Sequence, residues 1–159
     1  MSDTATRSIA EYKDTLRRIR ESIEGLTDEQ LSWKPSPERW SVKQVVAHLV
    51  DSSFVHAVRI RKIVAEPNPA LPVYDQDAWV ESSRANSADI EAILRAYEAI
   101  LHYNALYFER LVEEDGGRTG DNNGKPVTVD ELFQGFIRHV AVHLAQIERT
   151  KAAQAASVR

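Results

Sequence analysis

Apolar residues recur at steps of three and four in four stretches of the chain, with polar residues between them. This spacing places the apolar side chains of each stretch on one face, as in an amphipathic helix with one buried side. It predicts four long helices, of which the first covers about residues 6–24 and the third closes at residues 115–117. Their predicted buried sides are, in chain order, Ile9, Tyr12, Leu16, Ile19 and Ile23; Val42, Val45, Val46, Leu49, Val50, Phe54 and Val58; Ile90, Ile93, Leu94, Tyr97, Ile100, Leu101, Phe108 and Leu111; and Val129, Leu132, Phe133, Phe136, Ile137, Val140, Leu144 and Ile147.

Capping signals mark where the predicted helices begin. A Ser or Thr followed three residues later by Glu or Gln can form a capping box, and this spacing occurs at Thr27, Ser41 and Thr128. The three caps predict the start of a short helical turn, of the second long helix and of the fourth. The third long helix is predicted to be capped by Asn86 or Ser87.

The connection between the second and third helices, residues 66–86, is much longer than is usual between bundle helices. A linker of about 20 residues reaches up to about 66 Å, and the second helix, at about 25 residues, spans roughly 37 Å. The linker can therefore travel back along that helix, so the two helices can run parallel with a crossover between them. No stretch alternates as a strand does, and residues 120–126 have the composition of a polar hairpin. We predict an all-α fold, a four-helix bundle.

Composition limits both the size of the fold and its partners. The chain has 159 residues, 43% of them hydrophobic, which suits one domain with a core, so we expect a single domain over residues 1–159. With 20 Lys and Arg against 24 Asp and Glu, the formal charge is −4. Because nucleic-acid binding needs a basic surface, we do not expect nucleic acid as a partner.

Cysteine content and hydropathy restrict the possible metal ligands and the expected cellular location. The chain has no cysteine, so any bound metal must be held by nitrogen or oxygen atoms. Residues 1–7 are polar and lack the apolar segment of an export signal, and no run approaches the roughly 18 apolar residues of a membrane span. We therefore expect a cytoplasmic protein without a membrane partner.

Three histidines lie at the margins of two predicted buried faces. His139 and His143 are four residues apart in the fourth helix, so both imidazoles can face one point, and His48 faces inward from the second helix. Three converging imidazoles can share one divalent ion, although a lone core histidine is more often hydrogen-bonded to a neighbouring side chain. His56 lies two turns beyond His48, roughly 12 Å away, and cannot join the same ion. Nothing in the spacing of His102 selects it.

Four stretches of the chain carry a recognisable pattern. They are PERWSVKQVVAHLVDS at residues 37–52, YDQDAW at 74–79, TVDEL at 128–132 and HVAVHLAQI at 139–147. Taken in order, they resemble the DinB-like superfamily, and within it the YfiT-type branch of metal-dependent hydrolases and bacillithiol transferases. The resemblance implies a four-helix bundle in up-down-down-up order with a long crossover, often dimeric, so we expect a homodimer. It also implies that His48, His139 and His143 bind one nickel or zinc ion.

A site of three neutral imidazoles leaves positions open for water or substrate, which is typical of a catalytic metal site. Nitrogen ligands suit zinc and nickel equally well here. Metal-bound histidines usually donate their second N–H to another group. Asp51, one turn from His48, and Gln146, one turn from His143, are predicted to fill this role and to act as catalytic residues.

Residues of the crossover are predicted to border the substrate pocket. Tyr74, Asp75, Asp77 and Trp79 would bind substrate if the crossover folds over the open side of the metal. Loop aromatics are as often packing anchors, and both interpretations stay open.

The residue after the first histidine of the pair bears on the reaction. In His-Glu-x-x-His proteases that residue is the general base, whereas here it is Val140. A thiol needs no such base, because coordination to a divalent ion deprotonates it. We therefore expect a small-molecule enzyme that transfers a low-molecular-weight thiol, and the resemblance suggests bacillithiol as the cosubstrate. The alternatives are a hydrolase that activates water at the metal and a non-catalytic bundle that binds a metal or small ligand.

Overall fold

Four long helices, three short ones and a hairpin make up the described part of the chain in a computed structural model, which gives the backbone of residues 3–159 and the side chains from residue 9 onward. The prediction that residues 1–7 carry no export signal concerns side chains outside this part. No described helix is long and apolar enough to cross a membrane. The elements are α1 (Asp3–Ile23), α2 (Asp28–Ser32), α3 (Val42–Ala65), α4 (Gln76–Ser83), a 3₁₀ turn (Ala85–Ser87), α5 (Ile90–Phe108), α6 (Glu113–Gly116), β1 (Thr119–Asn122), β2 (Lys125–Thr128) and α7 (Val129–Ser157).

Helices α3 and α5 run parallel, an arrangement that the length of the connection between them allows. At their starts, the Ser41 side chain is hydrogen-bonded to Asn86 at 2.6 Å, and towards their ends Arg61 donates to the Asn104 side chain at 3.0 Å. The crossover segment, residues 66–89, therefore returns along the length of α3 before α5 begins.

The other pairings complete an up-down-down-up four-helix bundle. Helix α1 is antiparallel to α5 and parallel to α7, and α7 is antiparallel to α3. The contacts that set these directions are Lys13–Glu109 and Arg20–Glu91 between α1 and α5, Ser22–Glu148 between α1 and α7, and His48–His139 and His56–Leu132 between α3 and α7.

An aromatic cluster around Tyr12 fills the core at one end of the bundle. The Tyr12 ring packs against those of Phe108, Phe133 and Phe136, with centroids 5.2 to 5.5 Å apart. Its hydroxyl accepts a hydrogen bond from the Asn104 side chain at 3.0 Å, which satisfies a polar group that burial would otherwise leave unpaired. The three histidines predicted to bind a metal lie beyond this cluster.

The buried side of α3 differs from the prediction in its second half. Phe54 and Val58 were expected in the core, but they are 59% and 40% exposed. The buried ridge instead passes through Ser53 and His56 to Ile60. Ser53 and His56 are polar, so a prediction based on apolar spacing assigned the buried positions to Phe54 and Val58 instead.

Two termini of the third predicted helix also differ. Asp89, rather than Asn86 or Ser87, caps α5, because Asn86 lies in the 3₁₀ turn. The helix ends at Phe108, and the predicted closure at residues 115–117 belongs to the separate turn α6.

The crossover segment is more ordered than a plain linker. It contains α4, and before that helix it pairs with β1, since Asp121 N–H donates to Pro69 O at 2.8 Å and Leu71 N–H donates to Asp121 O at 2.9 Å. The polar hairpin predicted at residues 120–126 is a two-stranded antiparallel ladder, although no strand was predicted. Buried Gly120 allows close packing there, because a Cβ atom would approach Ile63 within 2.9 Å.

Candidate metal centre

The start of α3 and the start of α7 fix where the three histidines meet. The capping boxes predicted at Ser41 and Thr128 are both formed, so each helix begins where the sequence indicates. Because α3 and α7 are antiparallel neighbours, His48 in the second turn of α3 lies opposite the third and fourth turns of α7. Those turns carry His139 and His143.

The three imidazoles converge on one point. His48 Nε2 and His139 Nε2 are 3.1 Å apart, and one ring nitrogen from each of His48, His139 and His143 lies within 4.8 Å of the others. The ring centroids are 4.4 to 5.2 Å apart, with the rings nearly perpendicular to one another. Among the residues that the structure describes, this is the group whose nitrogen or oxygen atoms could hold a metal ion.

The spacing and chemistry of these nitrogens fit a divalent ion. With metal–nitrogen distances of about 2.0 to 2.1 Å, neighbouring nitrogen ligands lie about 2.8 to 3.0 Å apart at an octahedral ion and about 3.3 to 3.4 Å apart at a tetrahedral one. The 3.1 Å between Nε2 of His48 and Nε2 of His139 lies between these two spacings. Two neutral Nε2 atoms at this distance repel each other unless a proton or a cation lies between their lone pairs.

Burial keeps the three imidazoles neutral, which is the form that binds metal. Burial, with the neighbouring His143 and His139, lowers the pKa of His48 to about 3. Burial and His143 lower the pKa of His139 to about 4. Burial also lowers the pKa of His143, although its hydrogen bond to Gln146 acts in the opposite direction.

An aromatic wall holds two of the histidines in place. Trp40, just before the α3 cap, lies with its ring 4.9 Å from that of His48 and 6.3 Å from that of His143, nearly parallel to the latter. The indole therefore limits the rotation of both imidazoles on one side of the centre.

Of the two residues predicted to support the histidines, Gln146 contacts one and Asp51 does not. Gln146 Oε1 accepts a hydrogen bond from His143 Nδ1 at 2.7 Å, which directs Nε2 of that ring towards the other histidines. Asp51 makes no hydrogen bond to His48, whose buried Nδ1 has no hydrogen-bonding partner among the described residues. Burial raises the pKa of the Asp51 carboxyl.

Ser52 is a member of the centre that sequence reasoning missed. Its hydroxyl lies 3.3 Å from Nε2 of both His48 and His139, and 3.0 Å from the hydroxyl of Tyr74. The signal was available, because Ser52 is one helical turn after His48, the same spacing that pairs His139 with His143.

The four predicted pocket residues of the crossover segment have different surroundings. Tyr74 reaches the centre through Ser52, and its ring packs 4.6 Å from that of Trp79, which is 39% exposed. The Asp75 carboxylate caps α4 by accepting from Ala78 N–H at 3.0 Å. Asp77 borders a cavity next to the centre.

This cavity, of about 420 Å³, opens beside His143. It lies between the start of α3, α4 and the later turns of α7, and its lining combines an indole with charged groups of both signs. The side chains on its wall include Glu38, Arg39, Trp40, Asp77, His143, Gln146 and Arg149.

The two remaining histidines lie apart from the group. His56 is buried, donates from Nε2 to Leu132 O at 3.0 Å, and stacks on Phe136. His102 is exposed on α5. Neither is in the cluster of potential ligands, as their positions in the sequence indicated.

The up-down-down-up order and the three converging histidines are those of a helical bundle with potential metal ligands on facing helices. Residues 11–147 match the family model described as the DinB superfamily, and the chain belongs to that family. A curated protein of Geobacillus thermodenitrificans named "Putative metal-dependent hydrolase" is 30% identical over 143 residues, which cover 87% of this chain and 79% of the relative.

Solved structures show the same fold. The structure of YfiT from Bacillus subtilis, described as "a probable metal-dependent hydrolase with an unusual four-helix bundle topology", has a TM-score of 0.88 at 22% identity, over 98% of this chain and 90% of that one. The structure of a mycothiol-dependent maleylpyruvate isomerase has a TM-score of 0.71 at 10% identity, over 90% of this chain and 60% of that one.

Proposed function

We propose that the chain is a metal-dependent enzyme that joins a low-molecular-weight thiol to an electrophilic acceptor. His48, His139 and His143 would hold one Zn²⁺ or Ni²⁺ ion. The observation that carries the proposal is the convergence of three neutral imidazoles beside a cavity, while no described carboxylate is hydrogen-bonded to any of them. A divalent ion deprotonates a bound thiol, so thiol transfer does not need the carboxylate base that water attack usually requires.

The comparisons support this choice of reaction without testing it. The names of the sequence relatives point to metal dependence, and one protein of the same fold is named for its dependence on mycothiol. Because the chain has no cysteine, the thiol must enter as a cosubstrate. The cosubstrate we propose is bacillithiol, because the resemblance to the YfiT-type branch suggests it.

Residues around the centre would divide the remaining tasks. Gln146 would orient His143, Trp79 and Tyr74 would border the acceptor, and Asp77 would contact polar groups of a substrate in the cavity. Asp51 would act only through longer-range electrostatics, because it is hydrogen-bonded to none of the histidines.

Incubation of metal-loaded protein with bacillithiol and monochlorobimane tests the proposal, with fluorescence of the conjugate as the readout. We expect turnover above the spontaneous rate in wild type and none in His48→Ala or His139→Ala. The matched control is His102→Ala, which removes an exposed imidazole from α5 and should leave the rate unchanged. Far-ultraviolet circular dichroism establishes that each variant is folded.

A hydrolase is the second candidate, favoured by the names of the sequence relatives. It predicts that ester or amide substrates are cleaved in water with no thiol present. Metal binding without turnover in either assay would instead identify a bundle that only binds a metal or small ligand.

A further inference from the structure

Two hydroxyl groups outside the histidine set form a chain that leads away from the centre. Ser52 Oγ is 3.3 Å from Nε2 of both His48 and His139, and 3.0 Å from the Tyr74 hydroxyl. Ser52 is 9% exposed, whereas Tyr74 is half-buried in the crossover segment. The pair therefore connects the buried side of the centre with the edge of the fold.

The partners of Ser52 decide what its hydroxyl can do. An imidazole nitrogen that binds a metal has no lone pair left to accept a hydrogen bond. If the Nε2 atoms of His48 and His139 are ligands, Tyr74 is the described partner that Ser52 retains. Both hydroxyls can donate and accept, so the direction of the hydrogen bond between them can reverse.

We propose that Ser52 and Tyr74 relay the proton that the nucleophile loses at the three-histidine centre. The thiol S–H bond breaks, its proton passes to Ser52 Oγ, and Ser52 passes its own proton to Tyr74, which releases the phenolic proton. The sulfur lone pair forms the new S–C bond, and the leaving group departs with the electrons of its broken bond. That group takes up the released proton, so thiol and acceptor become thioether and protonated leaving group without any redox change.

Ser52 would contact the thiol, because its hydroxyl lies beside Nε2 of both His48 and His139. Tyr74 is a positioning residue that acts through Ser52. The inference rests on the proposed thiol transfer. Because a positioned proton acceptor typically contributes about 100-fold or more to a rate, loss of the relay should be visible in kcat.

The test compares Tyr74→Phe and Ser52→Ala with wild type, all loaded with Co²⁺, using bacillithiol and monochlorobimane. Tyr103→Phe is the matched control, because it removes the hydroxyl of a tyrosine that is 66% exposed on α5. Three quantities are measured: cobalt content, kcat and KM across pH 6 to 9, and the pH at which the cobalt–thiolate absorption band is half-formed.

We expect Tyr74→Phe to bind cobalt fully, to lose at least tenfold in kcat at pH 7 with KM for the acceptor unchanged, and to recover activity as pH rises. Its thiolate band should form at higher pH than in wild type, because Ser52 donates less strongly to the thiolate once its own oxygen no longer accepts a hydrogen bond from Tyr74. Ser52→Thr should retain most of the activity that Ser52→Ala loses.

A Tyr74→Phe variant with wild-type kcat and an unshifted thiolate band would overturn the relay alone. Loss of cobalt from both variants in proportion to the lost rate would also overturn it, because the hydroxyls would then only hold the histidines in place. Absence of turnover and of the band in wild type would overturn the proposed function, and the relay with it.

Discussion

The hydrogen bond between His143 and Gln146 decides which nitrogen of that imidazole is available to a metal. Nδ1 carries the proton and donates it to Gln146 Oε1, so the lone pair lies on Nε2, on the side of the other histidines. A glutamine side chain thus sets the tautomer of a ring that it does not otherwise contact.

Replacing Gln146 with Leu should lower the affinity for Zn²⁺ or Ni²⁺ by about 10- to 100-fold, because the His143 ring loses the group that fixes its tautomer and orientation. Competition with a chromogenic chelator measures the change. Gln134→Leu is the matched control, since it makes the same substitution at an exposed position of α7, and its affinity should match wild type. Equal loss in both variants would show that Gln146 has no special role.

A second residue-level effect concerns His56, which is buried among aromatic rings away from the centre. Burial is the main cause that lowers its pKa to about 4, while its hydrogen bond to Leu132 O acts in the opposite direction. The unfolded chain takes up a proton at about pH 6.5, and the folded chain does so only near pH 4. His56 therefore removes stability as the pH falls through that interval.

We expect His56→Phe to weaken the acid sensitivity of folding. Between pH 7 and pH 4.5 the wild-type free energy of unfolding should fall by about 2 to 3 kcal/mol more than that of the variant. Urea denaturation of metal-free protein at several pH values gives both curves. Parallel curves would mean that His56 titrates normally in the folded state.

At the scale of elements, the crossover segment combines two tasks. It allows α3 and α5 to run parallel, and it brings the rings of Tyr74 and Trp79 to one side of the histidine centre. Its path is fixed by backbone pairing with β1 and by the Asp75 cap of α4. A hairpin far along the sequence thus positions residues beside the centre.

Trp79→Ala should raise KM for the acceptor by about two- to tenfold, the worth of one aromatic pair, and leave metal content unchanged. The indole is 39% exposed and packs on Tyr74, whose hydroxyl is hydrogen-bonded to Ser52, so its loss should free the Tyr74 ring without opening the core. Steady-state kinetics and elemental analysis of the same samples check both parts. A lower melting temperature with unchanged kinetics would assign Trp79 to packing instead.

The sequence predicts those elements whose signals are local. The capping boxes at Ser41 and Thr128 and the spacing of His139 and His143 depend on residues three or four apart, so they can be recognised without a structure. The length of the connection also shows that α3 and α5 can run parallel, although length alone does not require it.

Features that depend on contacts between distant parts of the chain cannot be predicted from local sequence signals. Ser53 and His56 lie on the buried ridge of α3 because partners on other helices cover them, so hydropathy misplaces Phe54. The hairpin strands lack alternating apolar residues and are held by backbone pairing, so they give no strand signal. Ser52 belongs to the centre only because Tyr74 and His139 are brought to it.

For the whole molecule, the histidine centre joins two helices whose relative placement defines the bundle. Helix α3 supplies one imidazole and α7 supplies two, so an ion held by all three binds the folded chain in preference to the unfolded one. Such preferential binding stabilises the fold by mass action.

Zn²⁺ or Ni²⁺ at about 100 times its dissociation constant should add roughly 2.7 kcal/mol to the free energy of unfolding. For a chain of this length that corresponds to a rise in Tm of about 5 to 11 °C, measured by calorimetry with and without metal. His139→Ala should lose the rise and His102→Ala should keep it. An equal rise in both variants would place the ion elsewhere.

His48 and His139 are separated by 91 positions, and the later histidine pair resides on the final described helix. A chain in which α7 has not docked on α3 separates His48 from that pair, so it offers an ion at most two of the three imidazoles at one point. Full occupancy by a metal would then report that a molecule has completed the docking of its last helix.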